Sequence, residues 1–124
     1  MTPQALVWNR ACEGGGSNPH RGDLALAAML RAHGLTMNGG VLHAVESLGA
    51  SEVKIAVSGY RFFGLNSVAE LFERALHIFR NETGLGALEL ILDRQYATLI
   101  SDDSFLLSHF ERYFELHAPD FAPI

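Results

Sequence analysis

The sequence NGGVLHAVESLGASEVKIAVSGYRFFG, residues 38–64, contains two helical patterns separated by a glycine. In both patterns apolar residues recur at intervals of three and four residues, the spacing of a helix with a buried face. The first pattern comprises Val41, Ala44, Val45 and Leu48, and the second comprises Val53, Ala56, Val57, Tyr60 and Phe63. We therefore predict two short consecutive helices onto which other segments pack.

Four residues form the predicted turns of this stretch. Asn38 can cap the first helix by accepting a hydrogen bond from a free backbone N–H. Gly39 and Gly40 allow a tight entry into that helix, and Gly49 suits a left-handed residue after its last turn. Ser51 then begins the second helix.

The second helix has more apolar surface than one covered face requires. Ile55 and Phe62 lie outside its stripe, seven residues apart, and form a second apolar edge. A helix that is apolar on two sides is typical of a protein interior. We therefore predict that other helices cover both sides of it, Ile55 included.

Upstream of this stretch, the sequence predicts two helices joined by a loop. Residues 4–12 have the composition of a short helix. Residues 13–19, EGGGSNP, form a flexible connection, because consecutive glycines resist ordering and Asn-Pro marks a turn. The next helix is predicted from Asp23, a good N-cap residue, to Gly34, since Ala, Leu and Met are strong helix formers.

Downstream, a capping pattern begins the next predicted helix. Ser67 and Glu70 have the spacing of a capping box, so we expect a helix from there to about Arg80, ended by residues 81–84. Residues 85–100 alternate like a strand but also show a helical stripe. Because no second strand is apparent and a lone strand is unstable, we prefer a helix, with an interruption at Asp93 left open.

The C-terminal part is predicted to be a helix followed by a tail. Asp102 and Asp103 suit the positive end of a helix, which extends to about His117. Residues 118–124 are expected to be extended because prolines oppose a helix. The fold class is therefore all-α: one compact domain of about six short helices over residues 1–124. It divides into an N-terminal segment (1–21), a helical core (22–117) and the tail (118–124).

Composition restricts the location of the protein. No apolar run approaches the ~20 residues of a membrane helix, and the first residues lack the pattern of a signal peptide. The single cysteine, Cys12, cannot form an internal disulfide, which is typical of a reducing compartment. We therefore predict a cytoplasmic protein without membrane attachment.

Charge is distributed unevenly along the chain. The net charge of −5 opposes direct binding of nucleic acid, because phosphates require a basic surface. Residues 1–62 carry four acidic and five basic side chains, whereas residues 63–124 carry ten acidic and four basic ones. A partner selected by electrostatics should therefore be basic and contact the C-terminal half. The alternative is that these charges only solvate helix surfaces.

Residues that could support chemistry do not form a recognisable motif. Glu73 and His77 lie four residues apart, but a metal site needs three or four ligands. Cys12 precedes a glycine run rather than a helix N-terminus, so nothing orients it toward a histidine. The glycine runs do not match nucleotide-binding fingerprints. We therefore predict no catalytic residue, no metal and no cofactor.

Several short motifs resemble a family of small all-helical bacterial proteins. They are Asn38-Gly39-Gly40, AVESLGA at residues 44–50, Leu92-Asp93 with Tyr96, the Asp102-Asp103 turn, and Tyr113 in the last helix. The best-known member of that family is a DNA mimic that sequesters a transcription factor. The resemblance implies an all-α fold, no catalytic residues, dimerisation and the binding of another protein. This chain departs from the family pattern at Val41, where an aromatic residue is usual.

The first functional hypothesis from these observations is a protein-binding module that acts as an inhibitor, immunity protein or regulator. The candidate binding residues are acidic: Glu70, Glu73, Asp102, Asp103, Glu111 and Glu115. A second hypothesis is an enzyme or ligand-binding domain with a site between helices, using His33 or His43 beside the glycine turn. A third is a structural subunit that self-associates.

Overall fold

A computed structural model describes residues 1–81 and 85–124, and the chain is all-α in those residues, as predicted. The six helices are α1 (Pro3–Cys12), α2 (Arg21–Gly39), α3 (Val41–Phe62), α4 (Asn66–Asn81), α5 (Gly86–Leu99) and α6 (Asp103–His117). A single 3₁₀ turn, Ala118–Asp120, follows α6. None of the helices in the described residues is long and apolar enough to cross a membrane.

The centre of the fold is the pair α2 and α3, which lie along each other. Gly59 of α3 lies close against α2: a Cβ added to it would lie 2.6 Å from the carbonyl oxygen of Ala25. A side chain at that position would therefore force the two helices apart. Around this pair, α1 packs on α2, α4 packs on α3, and α5 contacts both α3 and α4.

The predicted stripes of residues 41–63 form much of the core. Every residue of both stripes is buried. Gly49 divides α3 into two helical halves, because its φ of 77° and ψ of 167° are not helical. The prediction of two helices separated at this glycine is confirmed. The predicted burial of Ile55 is wrong: its side chain is 57% exposed, at the rim of a groove between α1, α2 and α3.

Aromatic side chains attach α6 to the rest of the molecule. The buried ring of Phe110 lies 5.6 Å from the ring of Trp8 in α1 and 5.5 Å from that of Phe121, measured between centroids. The ring of Tyr113 lies tilted against that of Phe62 in α3, with 4.7 Å between centroids. Because Phe121 is buried, the tail forms part of the core, and the 3₁₀ turn corrects the prediction of a wholly extended tail.

Two predicted helix ends are wrong at α2. The helix begins at Arg21, so Asp23 lies inside its first turn, and its carboxylate accepts a hydrogen bond from the backbone N–H of His20 at 3.0 Å. Downstream, α2 continues through Gly34 to Gly39. Asn38 therefore lies in the last turn of α2 and does not cap α3; the N-cap residue of α3 is Gly40, with a φ of 97°.

Helices α4 and α5 also differ from prediction at their ends. Because α4 begins at Asn66, Ser67 lies within its first turn and is not the residue that caps it. Residues 85–100 form a helix, as preferred, and α5 continues through Asp93 without interruption. The predicted break after α4 falls largely on residues 82–84, which lie outside the described residues.

A buried carboxylate joins the two ends of the chain. Asp23, which is fully buried, accepts hydrogen bonds from the guanidinium of Arg10 at 2.8 Å and from the backbone N–H of Ala122 at 2.7 Å. Arg10 also donates to the carbonyl oxygens of Ala122 and Pro123, at 2.8 and 3.0 Å. These bonds connect α1, α2 and the tail.

Candidate protein-binding surface

The two acidic candidates of α4 have different surroundings. Glu73 accepts a hydrogen bond from the guanidinium of Arg61 in α3 at 2.6 Å, and this bond holds the pKa of Glu73 below its ordinary value. Both side chains of this pair remain about half exposed. Glu70 is exposed and lies beside Arg74 and Arg94 in a groove between α4 and α5. Each acid of α4 therefore has positive charge close to it.

Asp102 and Asp103 have structural roles at the start of α6. The carboxylate of Asp102 caps the helix by accepting from the Ser104 hydroxyl at 2.6 Å and the Phe105 backbone N–H at 3.1 Å. The bond from Ser104, followed by that from Phe105, holds the pKa of Asp102 below its ordinary value. Asp103 accepts a hydrogen bond from Nε2 of His33 at 2.6 Å, although its side chain is 82% exposed.

Glu111 and Glu115 project from the exposed surface of α6. They lie four residues apart, which places their side chains next to each other on the helix. Within residues 1–81 and 85–124, no ion pair engages either carboxylate. Of the six predicted acidic residues, Glu70, Glu111 and Glu115 form no ion pair in the described part of the chain and do not cap a helix, and Glu111 and Glu115 are the two of them that share one helix.

A row of hydrogen-bonded polar side chains leads from Asp103 into the core. Nδ1 of His33 lies 2.7 Å from the hydroxyl of Tyr96, which lies 2.9 Å from the hydroxyl of Tyr60. Because the Asp103 carboxylate only accepts, a neutral His33 carries its proton on Nε2, and Nδ1 accepts from Tyr96. Burial is the main cause that raises the pKa of both tyrosines. Both ring nitrogens of His33 are thus already engaged.

The glycine turn between α2 and α3 is completed by a side chain of α5. Asp93 accepts a hydrogen bond from the backbone N–H of Val41 at 2.8 Å and so provides the cap that was expected from Asn38. A Cβ on Gly40 would lie 2.8 Å from the same carboxylate, so the turn leaves room only for glycine. The ring of His43 packs on Gly39, where a Cβ would lie 2.5 Å from it.

Sequence reasoning missed Arg74 and Arg94, the two arginines beside Glu70. They come from different helices, so only the packing of α4 on α5 reveals that they line one groove. The exposed thiol of Cys12 lines a separate, largely apolar groove. Within the described residues, no three His, Cys, Asp or Glu side chains are grouped as a metal ion requires.

Comparison with known proteins gives one match. The sequence model of a family described as DMP19-like protein matches residues 18–122. The match spans α2 to α6 and the start of the tail, and leaves α1 outside it. No curated protein and no solved structure matches the chain.

Proposed function

The chain belongs to the DMP19-like protein family, and from this premise we propose that it is a non-enzymatic module that binds a basic protein through its acidic C-terminal half. The family resemblance, with its DNA-mimic member, supports one kind of partner in this proposal: a protein whose basic surface otherwise contacts nucleic acid. The chain then acts as an inhibitor or regulator of that partner. The reduced thiol of Cys12 suits a cytoplasmic location for this interaction.

The pair Glu111 and Glu115 supports this proposal most directly. Two like charges at this helical spacing destabilise an isolated helix by about 0.2–0.5 kcal/mol. No cation among the described residues forms an ion pair with either carboxylate. A lysine or arginine of a partner placed between them would remove that repulsion and gain two charge-assisted contacts. We therefore take this pair as the centre of the binding surface.

The other acidic candidates add negative charge to the C-terminal half of the chain in the proposal. Asp102 and Asp103 contribute negative charge at the start of the same helix, while Glu70 and Glu73 contribute it from α4. Each of these four residues is exposed. They add to the field that attracts a basic partner, and a field of this kind acts mainly on the association rate.

The enzyme hypothesis has less support in the geometry. His33, one of its two candidate residues, uses both ring nitrogens in bonds to Asp103 and Tyr96. His43 packs on the backbone of the glycine turn. Within the described residues, neither ring belongs to a group of three or more His, Cys, Asp or Glu side chains.

Affinity capture with matched charge variants tests the proposal. Tagged chain is immobilised, exposed to lysate of the source cell, and washed with increasing salt. We expect a basic protein to be retained and released as salt rises, and added duplex DNA to compete for it. Glu111→Lys/Glu115→Lys should abolish this capture.

The control variant is Glu13→Lys/Glu46→Lys, which makes the same change of net charge at two exposed positions of the N-terminal half. It should retain the captured protein. An equal loss of captured protein in both double variants, or capture that does not respond to salt, would contradict the electrostatic proposal. An untagged second copy of the chain among the captured species would report self-association in the same experiment.

A further inference from the structure

Arg74 and Arg94 differ from the arginines that stabilise the fold. Four other arginines form ion pairs with carboxylates: Arg10 with Asp23, Arg21 with Asp120, Arg31 with Glu52 and Arg61 with Glu73. Arg74 and Arg94 form no such pair in the described part of the chain, although Glu70 lines the same groove. Their guanidinium groups are exposed donors that the fold itself does not use.

Both arginines line one shallow groove of about 430 Å³ between α4 and α5. On α4, positions 67, 70 and 74 follow helical spacing, and on α5 positions 94, 95 and 98 do so. The groove is therefore a continuous polar surface of two adjoining helices. Apart from Arg74 and Arg94, its polar lining consists of Ser67, Glu70, Gln95 and Thr98.

Most of the groups in this groove are hydrogen-bond donors. Each guanidinium provides a planar set of N–H donors, and the amide of Gln95 provides two more. Thr98 donates its hydroxyl proton to the carbonyl oxygen of Arg94 at 2.9 Å, so it is already engaged. A ligand that fits such a surface presents acceptor oxygens, and a guanidinium binds a planar carboxylate through two parallel hydrogen bonds.

The charge of the groove distinguishes a carboxylate from a phosphate. Arg74, Arg94 and Glu70 together leave the groove with a net charge of +1. A single carboxylate neutralises that charge. A phosphate dianion would instead leave an excess of negative charge beside Glu70, in the half of the chain that is already acidic.

We propose that the α4–α5 groove is a carboxylate-binding site that receives an aspartate or glutamate side chain of the captured protein. This inference rests on the proposed function, and it adds one requirement for the surface of the partner. The surface that binds this chain is basic but carries one acidic side chain, which meets Arg74 and Arg94. Such a contact selects one basic protein among many, because a uniformly basic surface would be repelled at the groove.

The proposal is tested by whether a charge-removing substitution weakens or strengthens the capture of the partner. Arg74→Gln/Arg94→Gln removes two positive charges and should strengthen the capture of a basic protein if charge alone decides it. If the groove binds an acidic side chain, the same variant should weaken capture by about tenfold, the worth of one charge-assisted contact. Lys54→Gln/Arg80→Gln removes the same charge at two exposed positions outside the groove and should leave capture unchanged or stronger. Unchanged or stronger capture with the groove variant would overturn the proposal.

A small-molecule titration tests the groove without the protein partner. Sodium acetate replaces sodium chloride at constant ionic strength, and NMR follows the side-chain N–H signals of Arg74, Arg94 and Gln95. We expect saturable shifts with acetate that disappear in Arg74→Gln/Arg94→Gln. Linear shifts without saturation, or tighter binding of inorganic phosphate than of acetate, would contradict a carboxylate site. If the wild-type chain captures no protein, the proposed function fails, and this titration still decides the groove.

Discussion

Gly49 shows how a single residue determines the path of α3. Its φ of 77° and ψ of 167° lie in a region that is essentially restricted to glycine. A Cβ at this position would meet no atom within 4 Å. The only cost of a side chain here is therefore the backbone conformation itself. Since both halves of α3 contribute buried residues, their relative direction depends on this dihedral pair.

A comparison of two glycines isolates this backbone effect. We expect Gly49→Ala to lower the free energy of unfolding by about 2 kcal/mol, because alanine disfavours the observed dihedrals. Gly34 is the matched control: it is exposed inside α2, has ordinary helical geometry, and its Cβ would also meet no atom within 4 Å. Gly34→Ala should raise stability by about 0.5–1 kcal/mol. Urea unfolding measures both, and a similar change in the two variants would contradict this account.

At the scale of helices, α5 is held by polar contacts as much as by apolar burial. Its fully buried residues are Leu92 and Tyr96, while Leu90 and Ile91 are about half exposed. Asp93 caps α3, and the hydroxyl of Tyr96 bonds to His33 of α2 and to Tyr60 of α3. The position of α5, and with it that of Arg94 in the groove, depends on these bonds.

Removal of the Asp93 cap should destabilise the α2–α3 turn. We expect Asp93→Ala to lower the free energy of unfolding by about 1 kcal/mol, the typical value of a helix cap, because the Val41 N–H loses its acceptor. Gln95→Ala, an exposed position on the same helix, should change stability by less than about 0.5 kcal/mol. Thermal unfolding of both variants checks this, and equal effects would show that Asp93 does not act as a cap.

Two of the ion pairs of α2 differ in burial and provide another comparison. Arg10 pairs with a fully buried carboxylate, so Arg10→Ala should cost about 3 kcal/mol, since Asp23 would remain buried without its cation. In the pair between Arg31 and Glu52, both side chains are well exposed, and Arg31→Ala should cost no more than about 1 kcal/mol. Denaturant unfolding of the two variants measures the difference. Equal costs would mean that the burial of Asp23 does not control its pairing.

The helices were predictable from the sequence because their apolar spacing is local. Caps were harder to predict. Asn38 was expected to cap α3, but the cap is the carboxylate of Asp93, which accepts from the N–H of Val41, 52 residues earlier in the chain. The exposure of Ile55 depends on how α1, α2 and α3 pack around the groove that it lines, which apolar spacing does not determine. The candidate acids could be chosen from the sequence, but the partners of Glu73 and Asp103 lie on other helices: Arg61 in α3 and His33 in α2. The same holds for Arg74 and Arg94, whose proximity exists only after α4 packs on α5.

Across the whole molecule, every tyrosine has a raised pKa. Burial is the main cause in all three, and it acts with a hydrogen bond to Asp120 to bring the pKa of Tyr113 to about 12. The unfolded chain ionises its tyrosines near their ordinary pKa of about 10. The contribution of these raised pKa values to the free energy of unfolding is therefore fully present below about pH 10. It is lost as pH rises through the pKa values of the tyrosines in the folded chain.

An alkaline titration of tyrosine absorbance tests this global property. We expect the folded chain to show no tyrosinate at about pH 10, whereas the chain in urea should be about half ionised there. Tyr113 should ionise first, since its pKa is about 12 and its side chain is the least buried of the three. Tyr113→Phe should remove that first step. Ionisation of one-third of the tyrosine signal near pH 10 in the folded chain would refute the expectation.

The bonds between Arg10 and the tail also affect the order in which parts of the chain fold during translation. They join residues 112 and 113 positions apart, nearly the full length of the chain. A ribosome releases the N-terminal part first, so α1 emerges long before its partners Ala122 and Pro123 have been added. The contacts of α2 with α3 and of α3 with α4 can form during translation, because these helices are neighbours in sequence. The closure of α1 by the tail is therefore a late step, because it requires Ala122 and Pro123 to have emerged from the ribosome.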